Sequence, residues 1–230
     1  MAVEISDAEK KEIKENNATR LRRAKMWMYR AKSATKYPPA KSLDGPAVQF
    51  IFWWIAFEAL YSKEPKNNTS MENFIKNATK ADEVKISKKV NSCKRKGTIR
   101  KLVTLLPTHT GFWQQPDKKI ECDEWMKKFE EENKKCEYGK PNEILMIVFK
   151  RLRVVRNQIF HGANSRHRSY GISQVEYGVE LLIAFVPCFI EIVKTSADQN
   201  PPRDWGKVPF PRQGVRNQKD LKPVWAKQEK

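Results

Sequence analysis

The chain has 230 residues, with 45 Lys and Arg against 27 Asp and Glu and a formal net charge of +18. That length can bury a substantial core without disulfides or metals. The charge favours polyanionic partners, nucleic acid first and an anionic membrane surface second, a merely solvated basic surface being the alternative. Cys93, Cys122, Cys136 and Cys188 are scattered with no C-x2-C pair, which argues against structural zinc. The charged start MAVEISDAEKKEIKE has no apolar stretch of a secretory signal, so a cytoplasmic location with reduced thiols is expected.

Residues 8–34 read as a first helix, with Ile13, Leu21, Ala24, Trp27, Met28 and Ala31 inward and a basic outer face of Lys14, Arg20, Arg22, Arg23, Lys25 and Arg30. Tyr37, Pro38 and Pro39 end it. Asp44 as N-cap and Pro46 in the first turn open a second helix, VQFIFWWIAFEALYS, which is apolar nearly all round and belongs at the centre of a bundle. This run and Val179 to Val193 are too short and too polar for membrane spans. Glu58 is the one ionisable residue of that second helix, and a carboxylate so placed needs a donor, a cation or a proton.

After the loop KEPKNNT, Ser70 and Asn73 open a short helical piece through Ile75 and Ala78. Residues 85–101 hold eight Lys or Arg and no acid. This densest basic patch, with Lys88, Lys89, Lys94, Arg95 and Lys96, reads either as a phosphate-backbone track or as a solvated helix face. Gly97 to Leu106 predicts another amphipathic helix, and His109 in the following loop has no neighbour at metal-ligand spacing. Residues 121–137 alternate acids and bases around Trp125 and Phe129, the pattern of a surface helix.

From Asn142 to Gly162, Ile144, Val148, Leu152, Val155 and Ile159 recur at helical spacing and define a buried stripe. Arg153, Arg156, Asn157 and His161 fall on the other faces, with Arg156 beside the stripe, and Gly162 is the residue expected where the helix stops. The loop ANSRHRS places Arg166, His167 and Arg168 just beyond. Ser173 with Glu176 predicts a capping box for a last helix from Gln174 to about Lys194, its core face formed by Val179, Leu182, Ile183, Val186, Ile190 and Val193 and kinked at Pro187. From Ser196 on, five prolines, two glycines and eight Lys or Arg fall in the last 30 residues, a basic and weakly ordered tail with Trp205, Phe210 and Trp225 as anchors. With no strand pattern, repeat or Gly-rich phosphate loop, the expectation is all-α: one helical domain over 1–196 and a tail over 197–230.

Arg156 and His161 carry the chemistry this sequence offers. A histidine near neutrality can take a proton from a ribose 2′-OH, and a guanidinium can hold the phosphate and offset its developing charge. Such RNA cleavage needs no metal or other cofactor. Five residues of helix separate the two by about 140°, so one copy makes half a site, and two copies about a two-fold axis would complete it. The plain alternative is an exposed histidine favoured by the dipole at a helix C-terminus.

The run Arg156-Asn157-Gln158-Ile159-Phe160-His161 resembles the R-x4-6-H signature of the HEPN superfamily, and WWIAFEALY, Trp53 to Tyr61, resembles the second-helix segment of several of its families. The resemblance spans about residues 20–195. It implies an all-α helical bundle with extra short helices, a homodimer, and a metal-independent endoribonuclease of toxin-antitoxin, phage-defence or RNA-processing settings, acting on RNA and in some cases held by a protein antitoxin. Arg156 and His161 would be the catalytic pair and Asn157 the polar residue that supports them. Glu58 stands where the resembling segment often has Asn, and either pairs with Arg156 or is a tolerated core residue; Arg153 would support the same end. Ala163 stands where some toxin members carry a modifiable tyrosine. Other HEPN proteins are inactive binding modules, so a non-catalytic nucleic-acid-binding or interaction module is the second expectation, and peripheral membrane association through the basic helix faces the third.

Overall fold

A helix with no polar side can only be stable among other helices, and the apolar run over 44–61 takes that place. In the computed structural model, residues 5–34, 44–62, 71–105, 119–160, 169–206 and 208 are described, without the side chains of 44, 119–126, 128 and 169–171. Among the described residues there are eight helices and no strand. The first, α1 (Asp7–Ala34), opens on a capping box in which the Glu9 amide donates to Ser6 Oγ at 3.3 Å and the Ser6 amide donates to Glu9 Oε2 at 2.9 Å. α2 (Asp44–Tyr61) follows, and Phe50, Trp53, Trp54, Ala56, Phe57 and Leu60 are all buried.

α3 (Met71–Ala81) buries Phe74 and Ile75, and Asp82 then caps α4 (Glu83–Arg95) by accepting from the Lys85 amide at 2.9 Å. Gly97, at φ +72°, makes the sharp junction to α5 (Thr98–Thr104) in a conformation that a Cβ would strain. α6 (Lys119–Tyr138) lies against α5 and α7 (Pro141–Phe160), and α8 (Ser169–Ala197) runs beside α1, α2 and α5. The core centres on Phe57, whose ring meets Phe149 at 4.4 Å, Phe189 at 5.7 Å and Phe74 at 5.9 Å, tying α2 to α7, α8 and α3. Gly178 of α8 sits under Phe50: a Cβ there would lie 2.6 Å from Phe50 Cε2.

Four expectations change. Arg20, read as part of the outer basic face, is fully buried. Its Nη1 donates to the carbonyls of Leu60 at 2.6 Å and Ser62 at 3.1 Å, and its Nη2 to those of Trp205 at 3.3 Å and Gly206 at 3.0 Å. Burial pulls the guanidinium down to about 10, against the nearby Asp204 charge, so it stays protonated at neutral pH. The composition change at Ser196 marks the end of a helix and not the end of packing. Trp205 is the anchor expected of it: it is buried, donates from Nε1 to Ser196 Oγ at 2.9 Å and meets Phe74 at 5.3 Å, while Asn17 Nδ2 donates to the Arg203 carbonyl at 2.9 Å. Gly206, at φ +87°, turns the chain there. Residues 198–206 are therefore fastened to the body and are not weakly ordered; Phe210 and Trp225 lie outside the described residues.

The helix expected from Gln174 behind a Ser173 cap is already helical at Ser169, so the S-x-x-E pattern of 173–176 falls inside α8. Gln174 and Val175 are buried in that turn, and packing rather than capping sets the course of the helix there. Ile183, expected in the core, is 44 % exposed, because α8 turns Leu181, Leu182, Phe185, Val186 and Phe189 inward instead.

Candidate functional site

The site is built where α2 and α7 both reach their C-terminal turns. On α2, Trp54 and Tyr61 lie four residues before and three after Glu58, so all three share one side of the helix. Trp54 Nε1 donates to Glu58 Oε1 at 2.7 Å, and the Tyr61 hydroxyl donates to the same oxygen at 3.5 Å, at the long limit of such a bond. Arg156 Nη2 on α7 lies 3.9 Å from that oxygen. An indole, a phenol and a guanidinium thus converge on one carboxylate oxygen. The Glu58 and Arg156 side chains are each 32 % exposed, which keeps the pair near the surface and screened.

Burial, then the Glu58 charge, holds the Tyr61 hydroxyl far above the usual phenol range, with Arg153 and Arg156 opposing. Tyr61 is therefore a neutral donor. Arg156 is held from two further sides. Its Nη1 donates to Asn157 Oδ1 at 3.1 Å, and its guanidinium lies 4.4 Å from the centre of the half-exposed Phe160 ring. Its Nε is buried with no hydrogen-bond partner among the described residues, so the five-donor fork is not saturated by them.

No protein family, curated protein or solved structure matches the chain.

The structure brings Glu58, Arg156 and Asn157 together and leaves Arg153 exposed one turn earlier on α7. His161, Arg166, His167 and Arg168, and the expected helix stop at Gly162, lie outside the described residues, as does His109. On α4, Lys88 and Arg95 are exposed, as is Lys96 just after it, while Lys89 is half-buried. Lys94 is spent on a structural contact, donating to the Glu137 carbonyl at 2.7 Å. Lys85 of the same run is paired with Glu191 at 3.2 Å and Asp82 at 3.5 Å. The basic patch is therefore divided between solvent-facing cations and fastenings of α4 to its neighbours.

Trp54, Tyr61 and Phe160 escaped the sequence reading as parts of the site. Their signal was helical spacing: Trp54 and Tyr61 flank Glu58 at i−4 and i+3, and Phe160 follows Arg156 at i+4. Among the described residues no group of three or more His, Cys, Asp or Glu is placed to hold a metal ion, and no helix is long and apolar enough to cross a membrane.

Proposed function

We propose that this chain is a metal-independent endoribonuclease of the HEPN type, working as a homodimer. The observation that supports it best is the contact between Glu58 and Arg156. The two segments that carry the resemblance, Trp53 to Tyr61 and Arg156 to His161, are far apart in sequence, yet the first supplies the carboxylate that faces the arginine of the second. Arg156 is also oriented by Asn157 and backed by Phe160, and His161 is the next residue in sequence after Phe160.

In this reading His161 takes the proton from a ribose 2′-OH. The 2′-oxygen bonds to the adjacent phosphorus, the bond to the 5′-oxygen breaks, and a protonated histidine supplies that oxygen with a proton. The products are a 2′,3′-cyclic phosphate and a free 5′-hydroxyl, so DNA is not cut. Arg156 binds the phosphate and offsets the charge that builds on it, with Glu58 and Asn157 fixing its plane. Arg153, Lys88, Lys89, Arg95, Lys96, Arg166, His167 and Arg168 add phosphate-directed charge, and Lys94 joins them only through its charge. A second copy supplies the other half of the site.

Purified protein incubated with total RNA in EDTA tests this directly. Cyclic-phosphate ends should appear, and both His161→Ala and Arg156→Ala should abolish them. Cleavage that survives His161→Ala, or that requires a divalent metal, sinks the mechanism. A monomer at micromolar concentration with and without RNA sinks the shared site. The exposed Lys88, Arg95 and Lys96 favour, as a second reading, a non-catalytic RNA-binding module, which predicts salt-dependent binding and no cut product.

A further inference from the structure

From residue 16 to residue 34, α1 carries six Lys or Arg and no Asp or Glu. Its inward side is fixed by Ala24, Ala31 and Arg20, all fully buried. At about 100° per residue, Arg22, Lys25, Met26 and Tyr29 gather on the opposite side, and all four are exposed. Tyr29 is 72 % exposed and Met26 is 44 % exposed, two large apolar side chains set between cations. Arg30 closes the edge of this face, stacked 4.7 Å from the centre of the Trp27 ring, which itself packs on Phe52 of α2 at 5.6 Å.

We infer that this face of α1 is a track for single-stranded RNA, with Tyr29 as the ring on which an unpaired base stacks and Arg22, Lys25 and Arg30 as phosphate contacts. A purely solvated face has no need of an exposed phenol between cations, whereas stacking plus backbone charge is the combination that holds single strands without regard to sequence. No ion pair is recorded for Arg22, Lys25 or Arg30 among the described residues, so their charge is not cancelled by acids of this fold. A membrane surface is disfavoured, because Leu21, Trp27 and Met28, the other large apolar residues of this stretch, pack against the core and two exposed ones give little area to insert. Duplex RNA offers no unpaired base to Tyr29.

The track is also aimed. α1 and α2 run antiparallel, since Trp27 meets Phe52 while Arg20 meets the carbonyls of Leu60 and Ser62. Going from Arg30 back to Arg22 covers about 12 Å towards the end of α2 that carries Glu58 and Tyr61. A strand lying on α1 is thereby led to the level of the proposed cleavage site. This inference rests on RNA being the partner proposed above, but not on catalysis.

The test measures binding of a labelled, unstructured single-stranded RNA by fluorescence anisotropy across a salt series, in full-length protein carrying His161→Ala so that no cutting intervenes. Tyr29→Ala should weaken binding about tenfold with an unchanged salt slope. Arg22→Gln with Lys25→Gln should reduce the slope of log K against log salt by about 1.4. An RNA duplex of equal length should be insensitive to Tyr29→Ala. All these side chains are exposed, so melting temperatures should stay as in the parent, and the comparison holds only for variants that meet this. Unchanged single-strand binding by both variants overturns the track, as does an equal loss for duplex and single strand on Tyr29→Ala. Pelleting of the parent protein, lost in these variants, with phosphatidylglycerol vesicles but not with RNA would assign the face to a membrane instead. Normal RNA binding by the parent with no cleavage in EDTA would sink the nuclease reading and leave the track standing.

Discussion

Replacing Arg20 by Met keeps most of the side-chain volume and removes every donor from a site where four backbone carbonyls converge. Hydrogen bonds from a charged donor stabilise by about 1.5–3 kcal/mol each, and a buried carbonyl left without a partner bears its own desolvation penalty. Against this, burial pulls the guanidinium well below its ordinary value, to about 10, which corresponds to about 3 kcal/mol of unfavourable desolvation that Met does not carry. With four such bonds the net loss is about 3–9 kcal/mol, a large part of the stability of a domain this size. Urea unfolding followed by circular dichroism measures it, and hydrogen exchange locates it: amides over 203–208 and at the end of α2 should lose protection first. Arg20→Lys should recover only part, because an ammonium cannot span two pairs of carbonyls. If Arg20→Met unfolds within 1 kcal/mol of the parent with an unchanged denaturant slope, the clamp is not a significant source of stability.

Gly178→Ala should destabilise by about 1–3 kcal/mol, since its Cβ would press on Phe50 and Leu152 in a filled core; an unchanged melting temperature would mean the core is slack there. Glu58→Gln removes a charge that raises the Tyr61 hydroxyl, so the Tyr61 titration followed by 13C-tyrosine NMR should move downward. In the same variant, RNA binding should hold while kcat falls; a Tyr61 titration that stays put contradicts the contact. Burial raises the thiols of Cys136 to about 12 and Cys188 to about 11. Unfolded thiols ionise from about pH 9, so the unfolded state releases protons first and stability must fall as pH rises from there towards 11. Between pH 7.5 and 9.5 the loss should be about 1–2 kcal/mol, allowing for partial screening, and it should shrink in Cys136→Ala with Cys188→Ala. At pH 8 both thiols should also alkylate at least about a hundredfold more slowly in the native protein than in denaturant, read by peptide mass spectrometry.

Helix periodicity made most of the bundle legible. The stripe Ile144, Val148, Leu152 and Val155 is buried, and Arg156 lies beside it as the 100° step requires. Glu58 could be singled out because one carboxylate on an apolar helix must have partners, which Trp54 and Tyr61 supply as donors and Arg156 as the facing cation. Arg20 and Arg151 could not be found this way. Both have other basic residues close by in sequence, and both are buried because their partners come from elsewhere: Arg151 meets Glu132 of α6 at 2.8 Å, and Arg20 meets carbonyls contributed by two other segments. A backbone carbonyl leaves no mark in the sequence. The S-x-x-E pattern makes the same point about local signals, since it caps α1 at Ser6 and Glu9 but lies inside α8 at Ser173 and Glu176.

The Arg20 clamp sets an order on synthesis. Arg20 and its partner Trp205 are 185 residues apart, which at about 5–20 residues per second is about 10–40 s of translation. Over that interval the Leu60 and Ser62 carbonyls have been made, while those of Trp205 and Gly206 have not. The Arg20 clamp, at the end of the pair that carries Glu58 and Tyr61, therefore cannot be complete before then. The proposed nuclease end is completed only after nearly the whole bundle has been translated.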